Sequence, residues 1–255
     1  MVKKILSILA WVVTGVALAA LFIAAREDYL NRPMKSYNVI LDSESANGFV
    51  KESAVLAELA SIGTGAKIGT FDMASIDKRL KANPWIENTS AYIDLDGTLN
   101  VGIKEYTPAL RVFGCDGQSA YITSEGILLP TSNSHTAHLL IASGNFSFDP
   151  AQPRRLSDSV EADRNLICAM KVNEAVGRNK FVKSCIGQVY CNSANEFELV
   201  ATGIDAQIIV GDTCQIDDKL KRLEIFVKNK AGTSEMQSLK TINLKYKNQI
   251  VCKKR

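Results

Sequence analysis

The sequence has little of what enzymes and metalloproteins usually show. Its only histidines are His135 and His138, and no acidic group surrounds them in the sequence. Zinc sites need several converging ligands, so we interpret this pair as surface or edge-strand side chains. The nucleophile motif G-x-S-x-G, the P-loop and the dinucleotide motif G-x-G-x-x-G are absent. We therefore expect no catalytic activity, no cofactor and no metal, and a protein that binds other molecules.

Charge and cysteine spacing exclude further classes of protein. The formal net charge is +3, which is too small to argue for nucleic acid as a partner. The chain has six cysteines but no C-x-x-C spacing, which argues against a thioredoxin-like or zinc site. Disulfides and free thiols stay equally open, because the pairing of six cysteines does not follow from sequence.

One long run without charge, Ile5–Ala25, dominates the N-terminus. As a helix it would be about 31 Å long, close to the thickness of a bilayer core. Lys3 and Lys4 precede the run, and residues 26–28 follow it with mixed charge. The positive-inside rule then predicts an N-terminus in the cytoplasm and the rest of the chain outside it. We predict an uncleaved signal anchor at 5–25.

The alternative is a cleaved signal peptide, with Ala17-Leu18-Ala19 as a passable cleavage site. The apolar run continues past that site and is longer than a usual signal core, which favours the anchor. In either case residues 26–255 lie outside the cytoplasm, in a compartment that permits disulfides.

The first exported segment predicts two helices covering a small sheet. After a polar connector at 26–36, a strand at 37–41 precedes helical spacing over 51–62, which a Gly-Thr-Gly turn at 63–65 ends. Asp72 is expected to cap a second helix, which Asn83-Pro84 ends. The predicted order is therefore strand, helix, helix, strand, strand, with each layer covering the other.

The last two of these strands form a predicted hairpin around Asp96-Gly97, with a type I′ turn. Its apolar residues alternate with polar ones, which is typical of a sheet with one buried face. The residues expected on that face are Ala91, Ile93, Leu95, Leu99, Val101 and Ile103.

After Pro108 short strands dominate. Strands are predicted at 110–113, 119–122, 127–129, 138–141, 181–191, 196–201 and 205–211. One helix is predicted over 157–176, ended by Gly177, and an amphipathic helix over 217–229. Alternation of Ile242, Leu244 and Tyr246 with polar residues predicts a closing strand. The fold class is therefore α+β.

This order, with three stretches of sequence, resembles the FtsQ/DivIB family of bitopic bacterial cell division proteins. The stretches are LKANPWIENTSAYIDLDGTLNVGIKEYTPALRVF at 80–113, AYITSEGILLP at 120–130, and INLKYKNQIVCK at 242–253. The resemblance implies a cytoplasmic tail at 1–4, the anchor at 5–25, a linker at 26–36, a POTRA domain at 37–107 and an FtsQ-type β domain at 108–255.

By the same resemblance the chain is a non-catalytic scaffold that links early and late division proteins at the septum. It would be a single-pass protein of the cell inner membrane with its bulk in the periplasm. The implied partners are membrane proteins of the divisome resembling FtsB and FtsL, with FtsK and FtsW/FtsI as further candidates.

The partner-binding residues implied by the family are Leu244, Lys245 and Tyr246 of the closing strand, with Leu223 and Val227 of the late helix. A strand at a sheet edge leaves backbone groups to which a partner segment can add. Lys245 stands where the family usually has Arg, which keeps the charge and loses the bidentate geometry.

Two alternatives remain at this point. Another POTRA-bearing envelope assembly protein would share the first domain, although several such modules or a terminal barrel would be expected. A membrane-tethered exported enzyme would need a cluster of catalytic groups, which the sequence does not show.

Overall fold

The structure, a computed structural model, describes residues 2–42, 47–61, 65–230 and 232–255, without the side chains of residues 2–4 and Ser234. Two units are present, Met1–Glu105 and Tyr106–Arg255. The predicted Gly-Thr-Gly turn lies largely outside the described residues, as does the end of the predicted helix at residue 62.

The N-terminal helix α1 runs over Val2–Asn31. Within the described residues one stretch, Ile5–Asn31, is long and apolar enough to cross a membrane. The helix continues past the apolar run, so residues 26–31 of the predicted connector are helical. The side chain of Asn31 donates to the carbonyl of Glu27 at 2.9 Å, which stabilises this last turn.

Unit 1 continues with the predicted order of strand, helix, helix, strand and strand. Its elements are β1 (Ser36–Leu41), α2 (Glu52–Ala60), a 3-10 turn (Ile68–Thr70), α3 (Met73–Leu80), β2 (Ile86–Ile93) and β3 (Thr98–Glu105). The sheet order is β1-β3-β2, with β1 parallel and β2 antiparallel to the central β3. Asp72 caps α3 as predicted, accepting from the amide of Ala74 at 3.1 Å.

The core of unit 1 joins the two short helices to one face of the sheet. Leu59 of α2, Ile76 and Leu80 of α3, and Leu99, Val101 and Ile103 of β3 are buried. The rings of Phe49 and Trp85 stack with centroids 3.5 Å apart. Burial of these apolar side chains is the main force that holds the layers together.

The hairpin turn differs from the prediction in both type and face. The amide of Gly97 donates to the carbonyl of Asp94, so Leu95 and Asp96 take the central positions of the turn. Among residues 94–98 of the turn, only Gly97 has positive φ, at 91°, whereas a type I′ turn needs positive φ at both central residues. Leu95 therefore does not join the buried face, and 82% of it is exposed.

Unit 2 contains one large mixed sheet. Its strands are β4 (Pro108–Phe113), β5 (Ser119–Thr123), β6 (Ile127–Pro130), β7 (Ile141–Gly144), β8 (Arg154–Arg155), β9 (Ile186–Cys191), β10 (Phe197–Ala201), β11 (Ile204–Gly211), β12 (Leu239–Asn243) and β13 (Val251–Lys254). The helices are α4 (Glu161–Arg178), α5 (Lys180–Cys185), α6 (Ile216–Lys230) and α7 (Ser234–Gln237). The ten strands lie in the order β13-β12-β11-β10-β9-β7-β4-β5-β6-β8.

The core of unit 2 lies where α4 and α6 pack on this sheet. The helices contribute Leu166, Val172, Leu220 and Leu223, and the strands contribute Leu110, Ile122, Val189, Ile208 and Ile242. All are at most 3% exposed. The 3.6-residue spacing in the helices and the alternation in the strands produce these two matching faces.

Four sequence predictions in unit 2 are corrected. The predicted strand at 181–191 begins as α5, which Asn179 caps by accepting from the amide of Val182 at 3.0 Å. Gly177 does not end the preceding helix, which continues to Arg178. The strand predicted from His138 begins at Ile141. The predicted closing strand divides into β12 and β13, because the chain turns between Leu244 and Ile250.

Candidate partner-binding site

The predicted site lies at one edge of the large sheet. β12 pairs in parallel with β11 and antiparallel with β13, so it is an inner strand. Among the described strands, β13 is the terminal one at this edge. The backbone that a partner segment could join therefore belongs to Val251–Lys254, eight residues after the end of β12.

Three of the five predicted contact residues are buried inside unit 2. Leu244 is fully buried, Leu223 is 3% exposed and Val227 is 8% exposed. Leu244 also continues the pairing with β11, since its amide donates to the carbonyl of Ile209 at 2.8 Å. These side chains support the edge from within and do not form its outer surface.

Lys245 is held across the end of β11. Its amine forms an ion pair with Glu196, and this hydrogen bond raises the pKa of Lys245. Its methylene groups lie over Gly211, where a Cβ atom would approach Lys245 Cγ to 2.7 Å. Gly211 also has a φ of 76°, a backbone conformation that favours glycine.

Tyr246 is half exposed, at 50%, in the turn that joins β12 to β13. Among the five predicted residues, Tyr246 alone has an aromatic side chain, and that side chain is accessible to a partner. Aromatic side chains are frequent energetic centres of interfaces.

The sequence analysis missed Arg222, the residue that fixes this turn. Its Nη1 donates to the carbonyls of Tyr246 at 2.8 Å and Gln249 at 2.7 Å, and its Nη2 donates to that of Leu244 at 3.3 Å. Asp218, one helical turn earlier, accepts from Arg222 Nε at 3.1 Å. The Asp218/Arg222 spacing is visible in the sequence, but the three carbonyls are brought to it by the fold.

The outer edge itself is basic. Lys253, Lys254 and Arg255 are exposed at its end, and Val251 is 44% exposed at its start. Lysines along an edge strand discourage pairing with identical sheets, because like charges would face each other. A partner segment with acidic residues would meet no such penalty.

Comparison with known proteins identifies the family. The family model described as FtsQ/DivIB, C-terminal related, matches residues 107–253. The chain belongs to the FtsQ/DivIB family. The match includes α6, β12 and the turn held by Arg222, so the candidate edge lies within the family's own domain.

Two curated relatives carry the name Cell division protein FtsQ. The one from Rhodothermus marinus is 26% identical over 200 residues, which cover 77% of this chain and 70% of the relative. The one from Salinibacter ruber is 20% identical over 205 residues, which cover 78% of this chain and 76% of the relative. The predicted resemblance to the family is confirmed.

FtsQ/DivIB membership identifies a cell division protein, and with α1 it identifies a protein of the membrane. The family assignment points to a non-enzymatic role. Among the described residues, no three His, Cys, Asp or Glu side chains lie together in a group that could hold a metal ion. His135 and His138 are exposed in an irregular segment.

Proposed function

We propose that this FtsQ/DivIB member is a non-catalytic scaffold of the bacterial division machinery. Its helix α1 anchors it in the inner membrane, with the N-terminus in the cytoplasm and residues 26–255 in the periplasm at the septum. Residues 37–107 act as the POTRA domain, and residues 108–255 as the β domain that receives partners and links early to late division proteins.

The observation that carries this proposal is the edge strand β13, with the turn before it fixed by Arg222. An extended partner segment adds to β13 by β-augmentation, so that backbone hydrogen bonds supply affinity. Tyr246 and Val251 flank the edge and contact the partner's side chains. Membrane proteins resembling FtsB and FtsL are the partners, with FtsK and FtsW/FtsI as further candidates.

Anchoring in a shared membrane makes a small edge sufficient for binding. Partners that lie in the same bilayer meet the edge at a high effective concentration, so modest contacts sustain the complex. This is the physical reason for combining one membrane helix with a binding platform.

The test is photocrosslinking in living cells. A photoreactive amino acid replaces Tyr246 or Val251 in the full chain, and mass spectrometry identifies the adducts. Val200 of β10, 52% exposed and three strands away from β13, is the matched control. We expect adducts to small single-span proteins from positions 246 and 251, and none from position 200.

The absence of partner adducts from both position 246 and position 251 would contradict the edge proposal. A second variant, Tyr246→Ala, should fold normally and lose partner capture. If it folds and captures partners as the parent chain does, Tyr246 is not part of the interface.

A further inference from the structure

Leu95 is the most exposed large hydrophobic side chain in the described part of the chain. Its exposed fraction of 82% exceeds that of Trp11 in α1, at 76%. It lies at a central position of the β2–β3 turn, where polar residues and proline are usual. The term hairpin tip is used below for residues 93–97.

The hairpin tip is attached to the end of α1. The hydroxyl of Tyr29 lies 3.2 Å from the carbonyl oxygen of Ile93, to which it donates, and 3.5 Å from that of Asp94. On the other side of the tip, the amide of Lys35 donates to the carbonyl of Gly97 at 2.9 Å.

A second set of contacts holds α1 to the 3-10 turn of unit 1. Gly69 lies so close to Leu30 that an added Cβ would be 3.1 Å from its carbonyl oxygen. The amide of Ile68 donates to the carbonyl of Arg32 at 2.9 Å. The amine of Lys67 donates to the side chain of Asn31 at 3.0 Å. With two separate attachments, the tip has a defined position relative to the helix axis.

With the apolar run Ile5–Ala25 placed across the hydrocarbon core, that position falls at the level of the lipid headgroups. Tyr29 follows the last residue of the apolar run, Ala25, by four residues, or about 6 Å along the helix. Side chains on a helix lean toward its N-terminus, which here is toward the membrane. The headgroup layer is roughly 5–7 Å thick on each side of the hydrocarbon core. The carbonyls that Tyr29 contacts therefore lie within this layer.

We propose that the hairpin tip docks on the membrane that α1 crosses and inserts Leu95 at the boundary between headgroups and acyl chains. The occupant of this surface is lipid, since the same chain that carries Leu95 places it beside the bilayer. Tyr29 fits this level, because tyrosines concentrate at membrane interfaces. Unit 1 then has two attachments to the bilayer, the helix and the tip.

The polar groups of the tip are compatible with this position. Asp94 accepts from the side chain of Asn100 at 2.7 Å, and Asp96 accepts from the amide of Thr98 at 2.9 Å. Both carboxylates thus have partners within the hairpin and can face the hydrated headgroups. The apolar residue between them is the part that enters the acyl boundary.

The test places a tryptophan at the tip of the full chain, reconstituted in vesicles of phosphatidylethanolamine and phosphatidylglycerol with brominated acyl chains. The chain's other tryptophans are Trp11 in α1 and Trp85, which is buried. The background is Trp11→Phe, with Trp85 kept as a constant signal. Leu95→Trp is compared with Ile40→Trp, a control at a 50% exposed position on β1, away from the tip.

We expect the lipid bromines to quench the indole at position 95 at least twofold more than the one at position 40. Its emission should also shift to the blue, and aqueous acrylamide should quench it less. Equal quenching at both positions, with free access of acrylamide, would overturn the proposal. The parent chain supplies the insertion control, because Trp11 must itself be quenched. If it is not, α1 does not cross the bilayer and the proposal falls with it.

Discussion

The two sheets of this chain differ in size and in the length of the helices that pack on them. The three-stranded sheet of unit 1 packs on helices of 9 and 8 residues, whereas the ten-stranded sheet of unit 2 packs on helices of 18 and 15 residues. Stability in unit 1 therefore rests on a few large buried side chains. In unit 2 it is distributed along a continuous core.

Both units bury polar or charged side chains. Unit 1 buries Asn100, which is hydrogen-bonded to Asn38 at 2.8 Å and to Asp94 at 2.7 Å, and the carboxylate of Glu105, which accepts from the amide of Phe49 at 3.1 Å. Unit 2 buries two charged side chains, Asp163 and Lys219, each matched by an opposite charge. Buried charges are costly to leave without a partner, so Asp163 and Lys219 are sensitive single positions of unit 2.

The largest expected loss of stability comes from removing one member of such an ion pair. Asp163 accepts from Arg154 at 2.8 and 2.7 Å and from the amide of Ser157 at 2.9 Å. Asp163→Ala should lower the free energy of unfolding of unit 2 by about 3–5 kcal/mol. Hydrogen exchange of the backbone amides of residues 106–255, followed by mass spectrometry, measures this loss of stability. Asp158→Ala, at an exposed carboxylate, is the control and should change little.

The same contact predicts a pH dependence. The hydrogen bond from Arg154 holds the pKa of Asp163 below its ordinary value. A carboxyl group whose pKa is lower in the folded chain stabilises the fold at every pH above its unfolded pKa, which is about 3.9 for Asp. This stabilisation is lost as the pH falls through the folded pKa. The parent chain should therefore lose more stability on acidification than Asp163→Ala does. An equal acid dependence of both chains would contradict this assignment.

A pair of equivalent core truncations tests whether the two sheets unfold separately. Leu99 of unit 1 and Leu110 of unit 2 are both fully buried. Each change to Ala should cost about 2–5 kcal/mol in its own unit. Neither tryptophan lies in 106–255, so tryptophan fluorescence reports on unit 1 alone. Only Leu99→Ala should move the fluorescence midpoint in urea, and equal shifts would mean that the units unfold together.

A smaller and local loss of stability is expected at the sheet edge formed by β13 and the turn before it. Arg222→Met removes the donors to three carbonyls and should cost about 1–3 kcal/mol. Exchange of backbone amides should rise in 244–254 and stay unchanged in β4 and β5. Arg164→Met, at an exposed arginine of α4, is the matched control. Unchanged protection of 244–254 in Arg222→Met would show that the turn is held by its own backbone.

The smallest effect concerns the helix cap of unit 1. Asp72→Ala removes the acceptor for the amide of Ala74 and should lower the stability of unit 1 by about 1 kcal/mol. Asp72→Ser keeps an N-cap acceptor and should restore most of the loss. The urea midpoint of tryptophan fluorescence reports both, and a Ser variant as weak as the Ala variant would rule out capping as the cause.

Local patterns in the sequence were enough to predict most elements of unit 1. The alternation in the hairpin, the Asp72 cap and the helical spacing all depend on neighbours along the chain, and the structure contains each of them. The hairpin turn was wrong by one position, because Asp96-Gly97 predicts a type I′ turn centred on these two residues, whereas the chain turns at Leu95 and Asp96 and only Gly97 takes the left-handed conformation. The consequence is large, since it places Leu95 on the surface.

The candidate site was predicted less well, because it depends on contacts between distant residues. The stripe of Leu223 and Val227 identified a helix face, but the same pattern serves equally for a core and for an interface. Arg222 contacts carbonyls more than 20 positions away in the sequence. No local sequence pattern predicts that an arginine will bind the backbone oxygens of a later turn.

The sequence by itself determined the apolar N-terminal helix, the α+β class and the order of strands and helices in unit 1. These properties follow from the length of an apolar run and from periodicities of two and 3.6 residues. Only the tertiary structure decided that β12 is an inner strand, that β13 is the edge and that the hairpin tip lies beside α1. Strand order and the approach of separate segments depend on long-range packing and hydrogen bonding, which no short stretch of the chain contains.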